Sequence, residues 1–476
     1  MKVYHCVRFC YPFWTFQKLK IKTANIFEKL CQTTMSTQQF HIEKHVHGGV
    51  CLSHDSDGKV TLLEGGIPGE KVSAKIYTTN KNLHKGRVTH IIESSPARVQ
   101  APCKYYKQCG GCNFQHLHYS QQLQAKEEIL KDLLVRTGHS ALKRAAGGLL
   151  LPLLASDDEY HYRQRIRLQV DTWQTLGFFK RRSNDCIAID ACLLAKHEIN
   201  DCLNNLHQQP AFTRLLSRTE ALELLFNPAN AQITLIIHLT QKPRPADKQQ
   251  AKTLTSEIKA LEHIFFYGEG FAPSGTSEFS FPIPTTPPYT KEAINLSWET
   301  GGFCQVNLGQ NQKLIQTVLT YCNVKETDSV LDLFCGMGNF SIPLAIGARS
   351  LSGVEGQGSA IRSARKNSGN AGLTNTTFSK KPVHDACLAM AKDNKKFDIV
   401  VIDPPRQGVP GLATQLAQLT TKRLIYVSCD PATLCRDLAE LLDKGFRLRQ
   451  LQPIDMFPQT HHIECVVLLE KVPENH

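Results

Sequence analysis

The chain has 476 residues, 41% hydrophobic and 21% charged, with 55 Lys and Arg against 43 Asp and Glu, a net charge of +12 and 19 histidines besides. That length predicts about two to four domains, and no apolar run reaches the roughly 18 residues that would suggest a transmembrane helix. The positive balance favours a polyanionic partner without specifying one. Seventeen cysteines in a chain without a convincing secretory signal read as reduced thiols, and the cytoplasm is the expected compartment.

The first 34 residues are basic and aromatic and look foreign to the rest of the chain. Residues 1–35 therefore read as an extension, with translation expected to begin at Met35. Residues 36–98 alternate apolar and polar positions between Gly, Asp and Pro signals, the pattern of a small β-barrel. Residues 71–98 carry six Lys or Arg and one Glu, a net +5. A solvated barrel face is one explanation, and a surface that follows a nucleic-acid backbone is the other.

Residues 99–125 hold a cysteine cluster, and residues 119–136 have helical periodicity. Residues 150–293 mix strand-like runs (IRLQV, GFFK, AQITLIIHL) with helical ones, an α+β region that ends near the Pro-rich PIPTTPPYT. From about residue 294 strand-like and helix-like segments alternate: SVLDLF, SLSGVEG, FDIVVIDPP and RLIYVSC. This βαβ pattern predicts a mostly parallel, doubly wound sheet, so the expected class is α/β.

Within this last region VLDLFCGMGNFSIPLA leaves a strand and enters a helix. Gly336 and Gly338 allow a tight turn close to a ligand, but Ser341 stands where a dinucleotide fingerprint has its third glycine. Glu355 lies nineteen residues after Gly336, at the expected end of the next strand, where an acid suits ribose hydroxyls. The combination favours an adenosyl cofactor over a dinucleotide. Asp403, in VVIDPPRQG, ends a further strand. Arg406 stands where enzymes that methylate exocyclic amines place an aromatic residue, and the cysteine of cytosine-C5 enzymes is missing there.

Cys429, in LIYVSCDPATL, stands at a strand end ahead of Asp430 and Pro431. A thiolate added to C6 of uracil turns C5 into a nucleophile, and a base must then remove the C5 proton so that the cysteine can leave. Cys429 fits the thiolate and Glu464, in FPQTHHIECVVLLE, fits the base. The ordinary alternatives are a structural thiol and a solvated loop acid.

The set GGFCQVN (301–307), DLFCGMGNF, GVEG, DPPR, SCDP and the Glu464 segment closely resembles the RNA uracil-C5 methyltransferase family. The resemblance implies a Rossmann-like class I methyltransferase domain that uses S-adenosylmethionine. It makes Cys429 the nucleophile and Glu464 the proton acceptor. Gln305, Phe334, Asn339, Glu355 and Asp403 should line the cofactor or target site. This chain has Lys381 and Pro382 where the family often has a polar cofactor contact, and Asp385 is a candidate substitute.

CKYYKQCGGC holds Cys103, Cys109 and Cys112. Cys192 is the best fourth candidate, with Cys186 and Cys202 as rivals. Four thiolates can hold zinc or an iron–sulfur cluster, and spacing does not decide between them. The resemblance does favour one: the iron–sulfur branch of the family carries a [4Fe-4S] cluster on these four positions and an N-terminal TRAM domain, an OB-like RNA-binding module. The expected organisation is TRAM barrel (36–98), central iron–sulfur domain (99–293) and catalytic domain (294–476). Together these resemble the bacterial 23S rRNA uracil-C5 methyltransferases, which implies 23S rRNA as partner, no membrane, and a monomer. Another rRNA site, two sites, or tRNA remain alternatives. So do a non-catalytic RNA-binding assembly factor and a redox iron–sulfur protein.

Overall fold

The computed structural model describes residues 37–271, 273–283 and 294–473. The expected extension, the start at Met35 and most of the Pro-rich boundary lie outside these residues.

Residues 37–93 form one six-stranded sheet from β1 (Thr37–His41), β2 (Lys44–Val46), β3 (Val50–His54), β4 (Val60–Glu64), β5 (Lys71–Thr79) and β6 (His84–Glu93), in the order β1-β5-β6-β4-β3-β2. Alternate residues point inward, and Phe40, Cys51, Leu63, Val72 and Ala74 make its core with Ile42. Three register shifts between β5 and β6 curve the ribbon.

A second six-stranded sheet contains β7 (Arg165–Val170), β8 (Leu176–Phe179), β9 (Cys186–Ala188), β10 (Thr219–Asn227), β11 (Gln232–Leu239) and β12 (Leu261–Tyr267), in the order β12-β11-β10-β7-β8-β9. Helices His197–His207, Pro210–Leu216 and Pro245–Glu257 bury their apolar stripes in its core, which includes Leu203, Phe212 and Leu254. Next comes a hairpin of β13 (Glu278–Ile283) and β14 (Ile294–Glu299).

The third sheet has seven strands: β15 (Ser329–Leu333), β16 (Ser350–Glu355), β17 (Thr376–Lys380), β18 (Phe397–Ile402), β19 (Thr420–Ser428), β20 (Phe446–Ile454) and β21 (Glu464–Lys471), in the order β17-β16-β15-β18-β19-β21-β20. The first five run parallel to one another, and β21 runs antiparallel between β19 and β20. Its central strands are apolar almost throughout because both faces are covered. Ile399, Val401, Ile425 and Val427 enter one core, while Val400, Ile402, Leu424 and Tyr426 enter the other.

The helix Tyr119–Arg136 forms over the residues its periodicity predicts. Its partners are less expected. Ile129, Leu130 and Leu134 pack in the same core as Leu331, Ile402 and Leu424 of the distant sheet. Each such buried side chain contributes about 1.5–3 kcal/mol of transfer free energy. Lys126 in this helix is fully buried against Asp455, 2.5 Å away, and Tyr119 donates to the other Asp455 oxygen at 2.9 Å. Removing one member of such a pair strands a charge in the core and costs roughly 3–5 kcal/mol.

Candidate active site

Parallel strands bring their carboxyl ends to one edge of the seven-stranded sheet, and the loops beyond them meet there. After β15 the backbone turns through Phe334, which has a left-handed φ of 64°, and through Gly336 and Gly338 at 55° and 92°. A Cβ on Gly338 would stand 2.9 Å from Ile342, so only glycine lets the turn enter the following helix. A non-glycine residue in this region of φ is uncommon and marks an over-determined turn.

Glu355 ends β16 as expected. One carboxylate oxygen accepts from Gly336 N–H at 3.3 Å and the other from Gln357 N–H at 2.7 Å. Each oxygen keeps a lone pair for a hydroxyl donor. Asn339 exchanges two hydrogen bonds with Asn311, at 2.9 and 3.0 Å. Gln305 is buried on the segment before the helix Leu308–Cys322. Asn307 caps that helix and also donates to Met456 O.

Asp403 comes directly after β18, and its N–H donates to Leu333 O at 3.4 Å, which ties the second loop to the first. Ser428 and Cys465 are the last pair of the β19–β21 ladder on this side, so the next residues along each chain, Cys429 and Glu464, stand beside one another. Cys429 is half-buried and its thiol is pushed up to about 11 by burial, then by the charges of Glu464 and Asp403, against a lowering by Arg406. Glu464 is 3% exposed, and burial followed by the charge of Asp403 holds its carboxyl well above the usual carboxylate range. Asp403 is raised to about 7 by burial and then by Asp332.

Several participants were not read from the sequence. Asp332, the penultimate residue of β15, is fully buried. Ser341 donates to one of its oxygens, while the other has no partner, and burial raises it to about 7. Its signal was present as an acid inside an otherwise apolar strand. Arg406 counted in the sequence only as the absence of an aromatic residue, yet its charge acts on Cys429 and its guanidinium lies 3.5 Å from His462. Burial lowers His461 and His462 to about 4 and about 3, so both imidazoles are neutral at neutral pH. Phe303 is 66% exposed two residues before Gln305, an aromatic face offered to solvent. Asp385 lies exposed in the first turn of the helix Val383–Lys392. The backbone of Lys381, not a side chain, contacts the Glu355 carbonyl, at 3.0 Å.

Two buried acids, Asp332 and Glu464, and the half-buried Asp403 gather at one strand edge, Asp332 with an unpartnered oxygen, and form a site that a bound cation would relieve. S-adenosylmethionine fits this chemistry. Its positive groups would be offset by this acidic edge, and Glu355 would have lone pairs free to accept from its ribose hydroxyls.

Cys103, Cys109, Cys112 and Cys192 line one pocket of about 340 Å³ together with the half-buried Arg163. None is in a disulfide. Cys202 is instead sealed in the core of the second sheet, and Cys186 pairs within β8–β9, so Cys192 is the residue that converges with the other three. Burial and mutual repulsion raise Cys109, Cys112 and Cys192, and Arg163 opposes this at the last two. The Nε of Arg163 is buried without a hydrogen-bond partner. Among the described residues no three His, Cys, Asp or Glu side chains come close enough to hold a single metal ion. No helix of the described residues is long and apolar enough to cross a membrane.

A family model described as tRNA (Uracil-5-)-methyltransferase matches residues 118–472. The chain is 30% identical over 453 residues to a Vibrio parahaemolyticus protein named 23S rRNA (uracil(1939)-C(5))-methyltransferase RlmD, covering 94% of this chain and 100% of the relative. The protein of the same name from Pseudomonas putida is 34% identical over 425 residues, covering 87% of this chain and 89% of the relative. Among solved structures, the Pyrococcus abyssi tRNA (uracil-54, C5)-methyltransferase in complex with S-adenosyl-L-homocysteine matches with a TM-score of 0.66 at 21% identity, over 90% of this chain and all of that one. That likeness shows the α/β methyltransferase fold. The family match over most of the chain, together with the extent of the identity, shows that this protein belongs to the uracil-5-methyltransferase family.

Proposed function

We propose that the protein methylates C5 of a uridine in 23S rRNA with S-adenosylmethionine as donor, through a covalent intermediate on Cys429. The observation that carries this reading is the nearness of Cys429 and Glu464, each one residue beyond the Ser428–Cys465 pair that closes the β19–β21 ladder, with Asp403 acting on both. The donor, when bound, supplies an electrophilic methyl group. Cys429 forms a bond to C6 of uracil, which makes C5 nucleophilic. Arg406 favours the thiolate. After C5 is alkylated, Glu464 takes the C5 proton and the Cys429–C6 bond breaks. A carboxyl that holds its proton tightly is a strong base once ionised, and a cation beside Asp403 and Asp332 favours that ionisation. Gln305, Phe334, Asn339 and Glu355 hold the donor or the target base, and Phe303 offers a stacking face to the base.

The sheet of residues 37–93 is read as the TRAM-type, OB-like module and the cysteine-lined pocket as a [4Fe-4S] site. The organisation follows as 36–98, 99–293 and 294–476, with the helix Tyr119–Arg136 of the central part packed into the core of the last. A pocket of about 340 Å³ ringed by four separated thiols and a half-buried Arg163 suits a multi-atom cluster with an anionic ligand set better than a single zinc ion, which draws its thiolates close together.

The test is methyl transfer from labelled donor to in-vitro transcribed 23S rRNA and to unmodified tRNA. Label in 5-methyluridine of the rRNA is expected. Label in tRNA alone would move the substrate to tRNA, and label in neither would favour an assembly factor. Cys429→Ala should lose activity by on the order of 10⁴-fold or more while RNA binding persists. Glu464→Gln should accumulate a denaturation-resistant RNA–protein adduct.

A further inference from the structure

We propose that Gln459 is a positioning residue for Glu464, held in its conformation by the loop after Cys112 and by Gln122. This rests on the reading of Glu464 as the base. Gln459 stands five residues before Glu464 on the segment between β20 and β21. It is 1% exposed and has a left-handed φ of 67°. A glutamine adopts that backbone only where its surroundings impose it, and such residues cluster where function needs a fixed geometry.

The imposing contacts come from far along the chain. Asn113 N–H and Phe114 N–H both donate to the Gln459 carbonyl, each at 3.1 Å. Gln122 accepts from Gln459 N–H at 3.0 Å and donates to its side-chain oxygen at 2.9 Å. Two residues on, His461 donates from its backbone and its ring to the Asn113 side-chain oxygen, the latter at 2.8 Å. Tyr162 donates to Pro458 O at 3.0 Å.

Asn113 is itself fixed from the cysteine side. Tyr106 donates to its carbonyl at 2.5 Å, and Arg181 donates to the carbonyls of Cys109 and Cys112. The segment before Glu464 is therefore held by the loop after Cys112 together with Gln122 and Tyr162, all outside the sheet it enters. A change in the Gln459 backbone rotates the chain leading to Glu464 without touching Cys429 or the donor loop. Proton removal from C5 should suffer while Cys429 still adds to the base. The expected signature is a methylated RNA that stays covalently attached.

The test uses the full-length protein purified anaerobically, with 23S rRNA transcript and methyl donor. Turnover, KM for RNA, adduct and thermal midpoint are measured for Glu464→Gln, Gln459→Val, Gln459→Gly and Asn113→Ala. Valine opposes the left-handed backbone and glycine accepts it freely. Gln459→Val should accumulate methylated adduct and turn over roughly 10- to 100-fold more slowly with an unchanged KM, because a displacement of about 1 Å at a reacting group has effects of that size. Gln459→Gly should recover much of the rate. Wild-type turnover in Gln459→Val, joint loss of RNA binding and adduct, or no advantage of glycine over valine would overturn the proposal. If Gln459→Val does not fold, Asn113→Ala decides: adduct accumulation supports the proposal and wild-type turnover overturns it. A Glu464→Gln protein that forms no adduct overturns the reading of the base, and the proposal with it.

Discussion

Cys429 and the Cys103–Cys192 group are two ways of placing thiols beside an arginine. Cys429 stands alone at a strand end, raised by burial and by the acids Glu464 and Asp403, with Arg406 opposing. The other four share a pocket in which Cys109, Cys112 and Cys192 are raised by burial and by one another, with Arg163 opposing at two of them. A lone thiol in that balance can ionise when a substrate arrives and revert when it leaves. Four mutually repelling thiols cannot all ionise without a permanent countercharge. The same side chain thus reads as a nucleophile in one place and as a ligand set in the other.

The comparison breaks most severely at the pocket. On the proposed cluster reading, Cys109→Ser should lose iron, visible absorption and much of the soluble yield relative to the wild type, since a metal group bound only by the folded chain contributes its binding energy to folding. Unchanged iron content in the purified variant would remove Cys109 from the ligand set.

At the other thiol, Arg406→Gln should slow turnover by about tenfold for each unit by which the Cys429 pKa rises further. The rising limb of the pH–rate profile should move to higher pH, because the lost positive charge had favoured the thiolate. An unmoved limb would separate Arg406 from the thiol.

A smaller effect is expected on the RNA side. Lys75 and Lys85 are exposed on the first sheet, and Lys81 on the loop between its β5 and β6 strands. Replacing all three with Gln should weaken binding of any RNA alike and reduce the slope of log affinity against log salt by up to roughly 2. Filter binding at several salt concentrations measures it.

The smallest is a matter of stability. Asp332 titrates near 7 in the folded protein and near 3.8 when unfolded. The folded state holds the proton more tightly, so this group's stabilisation is complete below pH 3.8, is lost as pH rises through 7, and stays lost above it. Asp332→Asn should therefore melt a few degrees above the wild type at pH 8, with the advantage shrinking towards pH 4. Thermal unfolding across that range checks the sign.

The carboxyl edge of the seven-stranded sheet was legible because its signals are local. An apolar run that stops at Asp403 or Cys429 shows a strand end, and Glu355 stands at a distance from its glycine loop fixed by one βαβ unit. In the cysteine group three positions fell within ten residues, and the fourth remained among Cys192, Cys186 and Cys202 until folding placed two of them elsewhere. Asp332 was hidden because one acid in a strand gives no sign of whether its oxygens find donors.

By itself the sequence determined the α/β class of the seven-stranded sheet and the order of its strands and loops, since strand period and turn chemistry act over a few residues. Only the tertiary structure decided that the helix Tyr119–Arg136 covers the catalytic sheet and that Gln122 grips Gln459, 337 residues away. It also decided that the loop after Cys112 fixes the approach to Glu464. Those contacts pair backbone and amide groups, which every residue type offers, and no local pattern announces which of them will meet.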